Sequence, residues 1–290
     1  MAVVINTNNS SATASRILSE NRRELEQSME RLASGKRINS ASDDAAGMAV
    51  AAKMGADIRS LTPAIRNTND AISLVNTYDG AAAEIENILI RMRELAVQSK
   101  TGTYEDADRT NANYEYEALK AEVQRINSVT AFNRGVIAST GGANSHSMFV
   151  GSDVAKTGNS ITFSAHTLDL NASGATGSDI PTSITSSSAL KSIATADTAS
   201  TAIAAIDTAI GKLNANRAQA GALINRLEHT VANLMNVNQR LQEAVSGIVD
   251  ADYAAESANL ARGMVLQQAG TAMLAQANQA PQYVLLLLRT

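Results

Sequence analysis

Adjacent carboxylates at Asp43 and Asp44, and histidines at 146, 166 and 229, are the residues with the best claim to chemistry in this sequence. A carboxylate pair can hold a divalent cation or share a proton in acid–base work. Here the pair follows Ser40 and precedes Ala45-Ala46, where a helix pattern begins. Carboxylates at such a place cap free amides and complement the helix dipole, and that role outweighs a metal or an acid pair. His146 and His166 lie in a polar stretch and His229 in a helical one, and no HExxH or other ligand spacing occurs. Cysteine is absent, which removes disulfides, thiolate zinc sites and thiol nucleophiles. There is no glycine-rich phosphate loop and no nucleophile elbow. The sequence therefore predicts no catalytic, cofactor or metal site, and the chain reads as no enzyme.

Composition points the same way. A net charge of −4 leaves no basic excess to neutralise phosphate, so nucleic acid is not an expected partner. Aromatic residues make up 3% of the chain and Trp is absent, so large rings cannot fill its core. Alanine is abundant instead, which suits close helix packing. The start, MAVVINTNNSS, has neither a basic n-region nor a long apolar run, and predicts no cleaved signal peptide. The longest apolar run, residues 284–288, falls far short of the roughly 20 residues a bilayer span needs.

The elements around these residues are mostly helical. Residues 1–135 and 200–280 carry helical periodicity, whereas Thr140 to Ser188 is rich in Gly, Ser, Thr and Asn. Within that stretch, Met148 to Val150 and Ile161 to Phe163 read as short strands of a hairpin. One line at heptad spacing runs Ile203, Ile210, Arg217, Ile224, Val231, Asn238, Val245. A second runs Ile206, Leu213, Ala220, Leu227, Leu234, Leu241, Ile248. Together they form an a/d seam that must bury itself against another helix, with Ile206, Leu213, Leu227, Leu234 and Leu241 as its core. A matching partner runs upstream from Ile58 and Leu61 through Val75, Ile85 and Leu89 to Ala96. Pro63 should kink that helix or delay its start. A third stripe is Tyr116, Leu119, Val123 and Ile126. Two more occupy the extremes: Leu18, Leu25 and Leu32, and Leu260, Met264 and Leu274. Periodicity leaves open whether these outer stripes pair within one chain or between chains.

Punctuation supports this layout. Ser34-Gly35 is a helix end, with glycine as left-handed cap. Ser40 with Asp43 reads as a capping box for the next helix, Gly102 closes it, and Thr103 with Asp106 opens another. The expected fold is mainly α: an elongated antiparallel helical bundle or coiled coil built from both chain ends, with a small β-hairpin insertion.

The segment RLASGKRINSASDDAAGMAVA, residues 31–51, closely resembles the N-terminal signature of bacterial flagellins. The resemblance continues through residues 58–99 and resumes over residues 224–289, ending in ANQAPQYVLLLLR. It implies a structural subunit that polymerises into the helical filament of the bacterial flagellum, with a hook–filament junction protein as the alternative. The strong match through the last residues favours the filament subunit. It implies a terminal coiled-coil inner-tube domain from residues 1–42 and 250–290. Residues 43–249 would form a helical outer-tube domain, including a β-containing insertion at about 140–190. The short insertion would make this a form lacking large outer domains.

The resemblance further implies a secreted protein of the extracellular flagellum, exported through the flagellum's own channel. Its partners would be other copies of itself, the export apparatus and chaperone, and the hook-associated and cap proteins, but no membrane. The stripes Leu18, Leu25, Leu32 and Leu260, Met264, Leu274 would then serve self-assembly. Arg91, Leu95, Gln98 and Glu115 match positions that an innate immune receptor of animals recognises in many flagellins, the first three sharing one helical face. Residues 30–51 resemble a segment sensed by a plant receptor kinase. Pro63, Ser42 in place of a frequent lysine, and Thr290 after the usual terminal arginine depart from the family pattern.

Overall fold

The computed structural model describes residues 8–137, 144–151, 158–165 and 192–287, with backbone alone at 144 and 280–287. The elements are α1 (Asn9–Ser34), α2 (Ala45–Lys100), α3 (Asp106–Val129), β1 (Ala131–Phe132) and β2 (Gly135–Val136). There follow β3 (Asn144–Phe149), β4 (Ser160–Ala165), α4 (Ala196–Val249) and α5 (Tyr253–Leu287). They sort into two compact units, one of residues 1–58 and 239–290, the other of residues 59–238.

The second unit holds the main core. Along α2, burial follows steps of three and four from Leu61 and Ala64 through Val75, Leu89 and Met92 to Ala96 and Ser99. On α4, Ile206, Leu213, Leu227 and Leu234 are buried, while Leu241, beyond this unit, is half-buried. Each large side chain fully removed from water contributes about 1.5–3 kcal/mol. Tyr116 and Val123 of α3 join the same cluster, together with Ile193. Ala199, Ala202, Ala205 and Ala209 widen the buried stripe of α4, because small side chains let backbones approach. α2 and α4 run antiparallel: Arg217 of α4 donates to Asp79 at 2.9 Å and also pairs with Glu86, while Arg93 pairs with Asp207 at 2.6 Å. A charge at an a position is thus held by two carboxylates across the seam.

Polar groups close the end of this core. The Ser99 hydroxyl donates to the Ile193 carbonyl. Arg109, itself buried, donates to the carbonyls of Ser99 and Thr101 at 3.0 Å, which caps the C-terminus of α2. The Asn113 side-chain oxygen accepts from the Ile193 amide at 2.9 Å.

Two antiparallel hairpins complete the unit. β1 pairs with β2 through a tight turn whose Asn133 and Arg134 take left-handed φ of 49° and 67°. β3 pairs with β4 in a register that sets Met148 opposite Ile161 and His146 opposite Phe163. Alternation along β4 buries Ile161, Phe163 and Ala165, and Phe163 meets Tyr78 of α2 edge-on at 5.3 Å. The expected hairpin is therefore present, with strands of six residues each where the apolar residues indicate three, and β3 begins four residues earlier and ends at Phe149. The β1–β2 hairpin was not expected; its strands are two residues each, too short for periodicity to register.

Local details correct three sequence expectations. α2 runs unbroken from Ala45 through Pro63, so the proline does not delay its start. Proline removes a single donor, the one that would reach the Arg59 carbonyl, and a helix of 56 residues absorbs that loss. The Ser40–Asp43 box does not open α2. Asp43 turns back to accept from the amides of Asn39 and Ser40, and the helix begins two residues later, with Asp44 accepting from the Gly47 amide at 2.9 Å. The box opening α3 joins Glu105 and Asp108, not Thr103 and Asp106. Gly35 is the left-handed cap of α1, at φ 70°.

Candidate assembly interface

The first unit is built around α1 and α5. Gly35 and Lys36 meet Asp250 and Ala251 in a short antiparallel bridge, with the Arg37 amide donating to the Val249 carbonyl at 2.7 Å. From there the two helices run antiparallel. Leu25 packs on Gly263 and Leu18 on Gly270, where an added Cβ would lie 3.4 Å and 3.1 Å from the leucine methyls. Leucine seven residues apart thus meets glycine seven residues apart. Within the chain, then, the leucines of the first stripe meet glycines of α5. Leu32, Leu260 and Leu274 are half-buried, whereas Met264 is exposed.

A second line along this seam is polar. Asn21 is buried and donates to the Gly263 carbonyl at 3.1 Å, which the missing side chain makes reachable. Ser28 donates to Glu256 at 3.0 Å, and Arg31 donates to the other oxygen of that carboxylate at 3.0 Å. Near the far end, Asn8 donates to the Ala277 carbonyl at 2.8 Å and Ser11 to Asn278 at 2.8 Å. Burial pushes the Glu256 carboxyl up, but the bonds from Arg31 and Ser28 and the Arg31 charge outweigh it. The group is held below its ordinary value. Sequence reading passed over Asn21, Ser28 and Glu256. The signal was there in Asn21 and Ser28, seven apart beside the leucines, and in Glu256, Gly263, Gly270 and Ala277 at the same interval.

Beside the exposed ion pairs Arg16–Glu20 and Arg22–Glu26 of α1, this pair of helices leaves apolar surface outside. Ile17, Leu266 and Met273 are each more than half exposed, and with Leu18, Ala269 and Gly270 they line an open groove of about 570 Å³. Met29 and Val265 add further exposed apolar surface. A lone two-helix unit with this outer surface is incompletely covered.

The other candidate positions lie in the second unit. Arg91 of α2 and Glu115 of α3 form an exposed ion pair at 2.9 Å, and Arg91 also reaches Glu94 at 3.0 Å. Gln98 is exposed and donates to the Tyr104 hydroxyl at 3.0 Å. Leu95 does not share their surface. It is 3% exposed and belongs to the core, because α3 and α4 both cover α2 here and widen its buried arc. Of the histidines, His146 bonds the Ile137 carbonyl at 3.3 Å, His229 is exposed, and His166 lies outside the described residues. Among the described residues no group of three His, Asp or Glu could hold a metal. No described helix is long and apolar enough to cross a membrane.

Comparison with known proteins decides what this architecture belongs to. The family profile for the bacterial flagellin N-terminal helical region matches residues 5–137, and that for the C-terminal helical region matches residues 203–288. The chain belongs to the bacterial flagellin family. It is 41% identical to the flagellin of Halalkalibacterium halodurans over 99% of this chain and 100% of that one. It is 37% identical to the flagellar filament 33 kDa core protein of Treponema phagedenis, over 99% and 100% of the two chains. With the flagellin of Bacillus subtilis it shares 37% identity over 94% and 95%. Superposed on the crystal structure of Bacillus cereus flagellin it gives a TM-score of 0.46 at 32% identity, covering 58% of this chain and 88% of that chain. The two flagellin profiles leave out residues 138–202.

Proposed function

We propose that this flagellin is a structural subunit of the extracellular filament of a bacterial flagellum, and that the α1–α5 unit carries its polymerisation. The supporting observation is the apolar outer surface of that unit around Ile17, Leu266 and Met273, already paired inward and still uncovered outward. Further copies of the same chain are the covering that a polymer supplies. Contacts of this kind are heterologous, so they propagate as a helix instead of closing into a dimer. Full-length relatives named as flagellins and filament core proteins support the filament over the hook–filament junction.

In this reading Leu18, Leu25, Leu32, Leu260 and Leu274 serve assembly indirectly, by joining α1 to α5, and Met264 directly. Export through the flagellar channel, its chaperone, and the hook-associated and cap proteins follow as partners from family membership. Recognition by an innate immune receptor would use the exposed Arg91–Glu115 pair and Gln98, with Leu95 holding α2 in place beneath them.

The test is a full-length Leu18→Asp/Leu25→Asp variant with a companion lacking residues 1–40 and 255–290. Both should keep the helical circular-dichroism signal of the second unit and lose elongation from filament seeds. Filaments of ordinary length from either variant would remove the α1–α5 unit from the account. A narrow distribution of short particles from wild-type protein, seen by electron microscopy, would instead favour the junction protein.

A further inference from the structure

The chain has nine methionines and no cysteine, so methionine carries all of its oxidisable sulfur. Those thioethers are not equally placed. Met92 is fully buried in the core of the second unit. Met264 and Met273 stand on the outer face of α5, 47% and 65% exposed. Met273 lines the groove with Ile17, Leu18, Leu266 and Ala269. An exposed thioether reacts with hydroperoxides, and the product is a polar, chiral sulfoxide in place of a flexible apolar group. The balance is simple: the sulfur forms an S–O bond and is oxidised by two electrons, while the peroxide O–O bond breaks and the second oxygen leaves as water from hydrogen peroxide or as an alcohol from an organic hydroperoxide. No protein proton is consumed.

We propose that Met264 and Met273 are a redox gate on assembly: their sulfoxidation by hydroperoxide in the free subunit blocks its addition to a filament. The inference rests on the filament-subunit reading and on the placement of the assembly surface on α1–α5. A sulfoxide dipole at Met273 would exchange water for a lining in which Ile17, Leu18, Leu266 and Ala269 offer no side-chain donor, the donors being confined to Asn9, Ser10, Thr13 and Asn21 of α1. The same contact shields the sulfur once a subunit is incorporated. The gate therefore acts before polymerisation and not after. Repair is available in kind, because methionine sulfoxide is reducible by its dedicated reductases.

The experiment treats free full-length monomer with hydrogen peroxide, quenches it, maps each sulfoxide by peptide mass spectrometry and follows seeded elongation by light scattering. Peroxide is raised until Met264 and Met273 are converted while Met92 is not. Elongation should fall at least tenfold and return after sulfoxide reductase. In a Met29→Leu background, which clears the exposed methionine of α1, a Met264→Leu/Met273→Leu variant, apolar and of similar volume, should elongate within twofold of its untreated rate after the same exposure, although Met235 is oxidised in it. Preformed filaments should leave Met264 and Met273 unmodified.

Three results would overturn the proposal. The first is unimpaired elongation of fully sulfoxidised wild type. The second is equal loss in the Met29→Leu/Met264→Leu/Met273→Leu variant. The third is resistance of both sulfurs in free monomer at doses that convert Met29 and Met235. An untreated Met273→Gln variant separates this failure from that of the underlying reading. Slow elongation of Met273→Gln beside normal elongation of oxidised wild type removes only the redox gate. Elongation of Met273→Gln at the wild-type rate removes the placement of the assembly surface itself.

Discussion

The Glu256 carboxylate sits between two helices with one guanidinium and one hydroxyl against it. Its folded-state pKa lies below its ordinary value of 4.5. The stability it supplies is therefore complete above that value and is lost as pH falls through the lower, folded one. Glu256→Gln should weaken the α1–α5 pair by about 1–2 kcal/mol at pH 7, and the gap should be narrower at pH 3. Amide hydrogen exchange in α1 and α5 at the two pH values measures this; an equal gap at both would assign the effect to shape and not to charge. Tyr116 poses the opposite case. Its ring is fully buried, its hydroxyl has no partner among the described residues, and burial pushes the phenol far up. Removing an unmet polar atom while keeping the ring should help, so Tyr116→Phe is expected to gain about 1 kcal/mol in urea denaturation. Tyr116 was legible as a core position but not as an unmet hydroxyl, and the pairing of Glu256 was not legible at all. A glutamate in the first turn of a helix reads as a dipole partner, and a tyrosine in an apolar stripe reads as core, whether or not its hydroxyl is met.

At the scale of the element, the heptad seam on α4 was the plainest signal in the sequence, and it predicts graded costs. Leu227 is fully buried and Leu241 only half-buried, so Leu227→Ala should cost about 2–4 kcal/mol and Leu241→Ala under half of that. Denaturant midpoints of the two variants check the register. Equal losses would mean that the seam is covered along its whole length. The alanines of α4 and Thr68 of α2 were less visible, since small and hydroxyl side chains occur on either face of a helix. Thr68 is tolerated inside because its hydroxyl bonds the Ala64 carbonyl at 2.8 Å. Leu95 shows the limit of spacing arguments. Arg91, Leu95 and Gln98 do lie on one stripe by number, but how much of a stripe is buried depends on how many helices cover it. Periodicity names a face and leaves its neighbour unspecified, which is also why Leu18 and Leu25 gave no hint of Gly270 and Gly263.

The scale of the whole molecule is set by how far apart in sequence its contacts are. Arg93 and Asp207 are 114 positions apart, and Arg217 and Asp79 are 138 apart. Across α1 and α5 the separations rise to 228 for Ser28–Glu256, 242 for Asn21–Gly263 and 269 for Asn8–Ala277. Bringing chain ends together costs entropy that grows with the loop between them, by about 0.6 kcal/mol per doubling when the loop is otherwise free. Folding the second unit first shortens that loop in effect, so the α1–α5 pair is expected to form last. The absence of cysteine makes this measurable, because introduced thiols can be labelled uniquely. Dyes at Ser15→Cys and Thr271→Cys should approach more slowly in stopped-flow refolding than dyes at Glu94→Cys and Thr208→Cys. Simultaneous approach would mean that the ends find each other without help. Leucine set over glycine at the two extremes of the chain then works as a checkpoint. A polypeptide cut short before α5 leaves α1 with nothing to lie on, so it presents no joined pair to be counted.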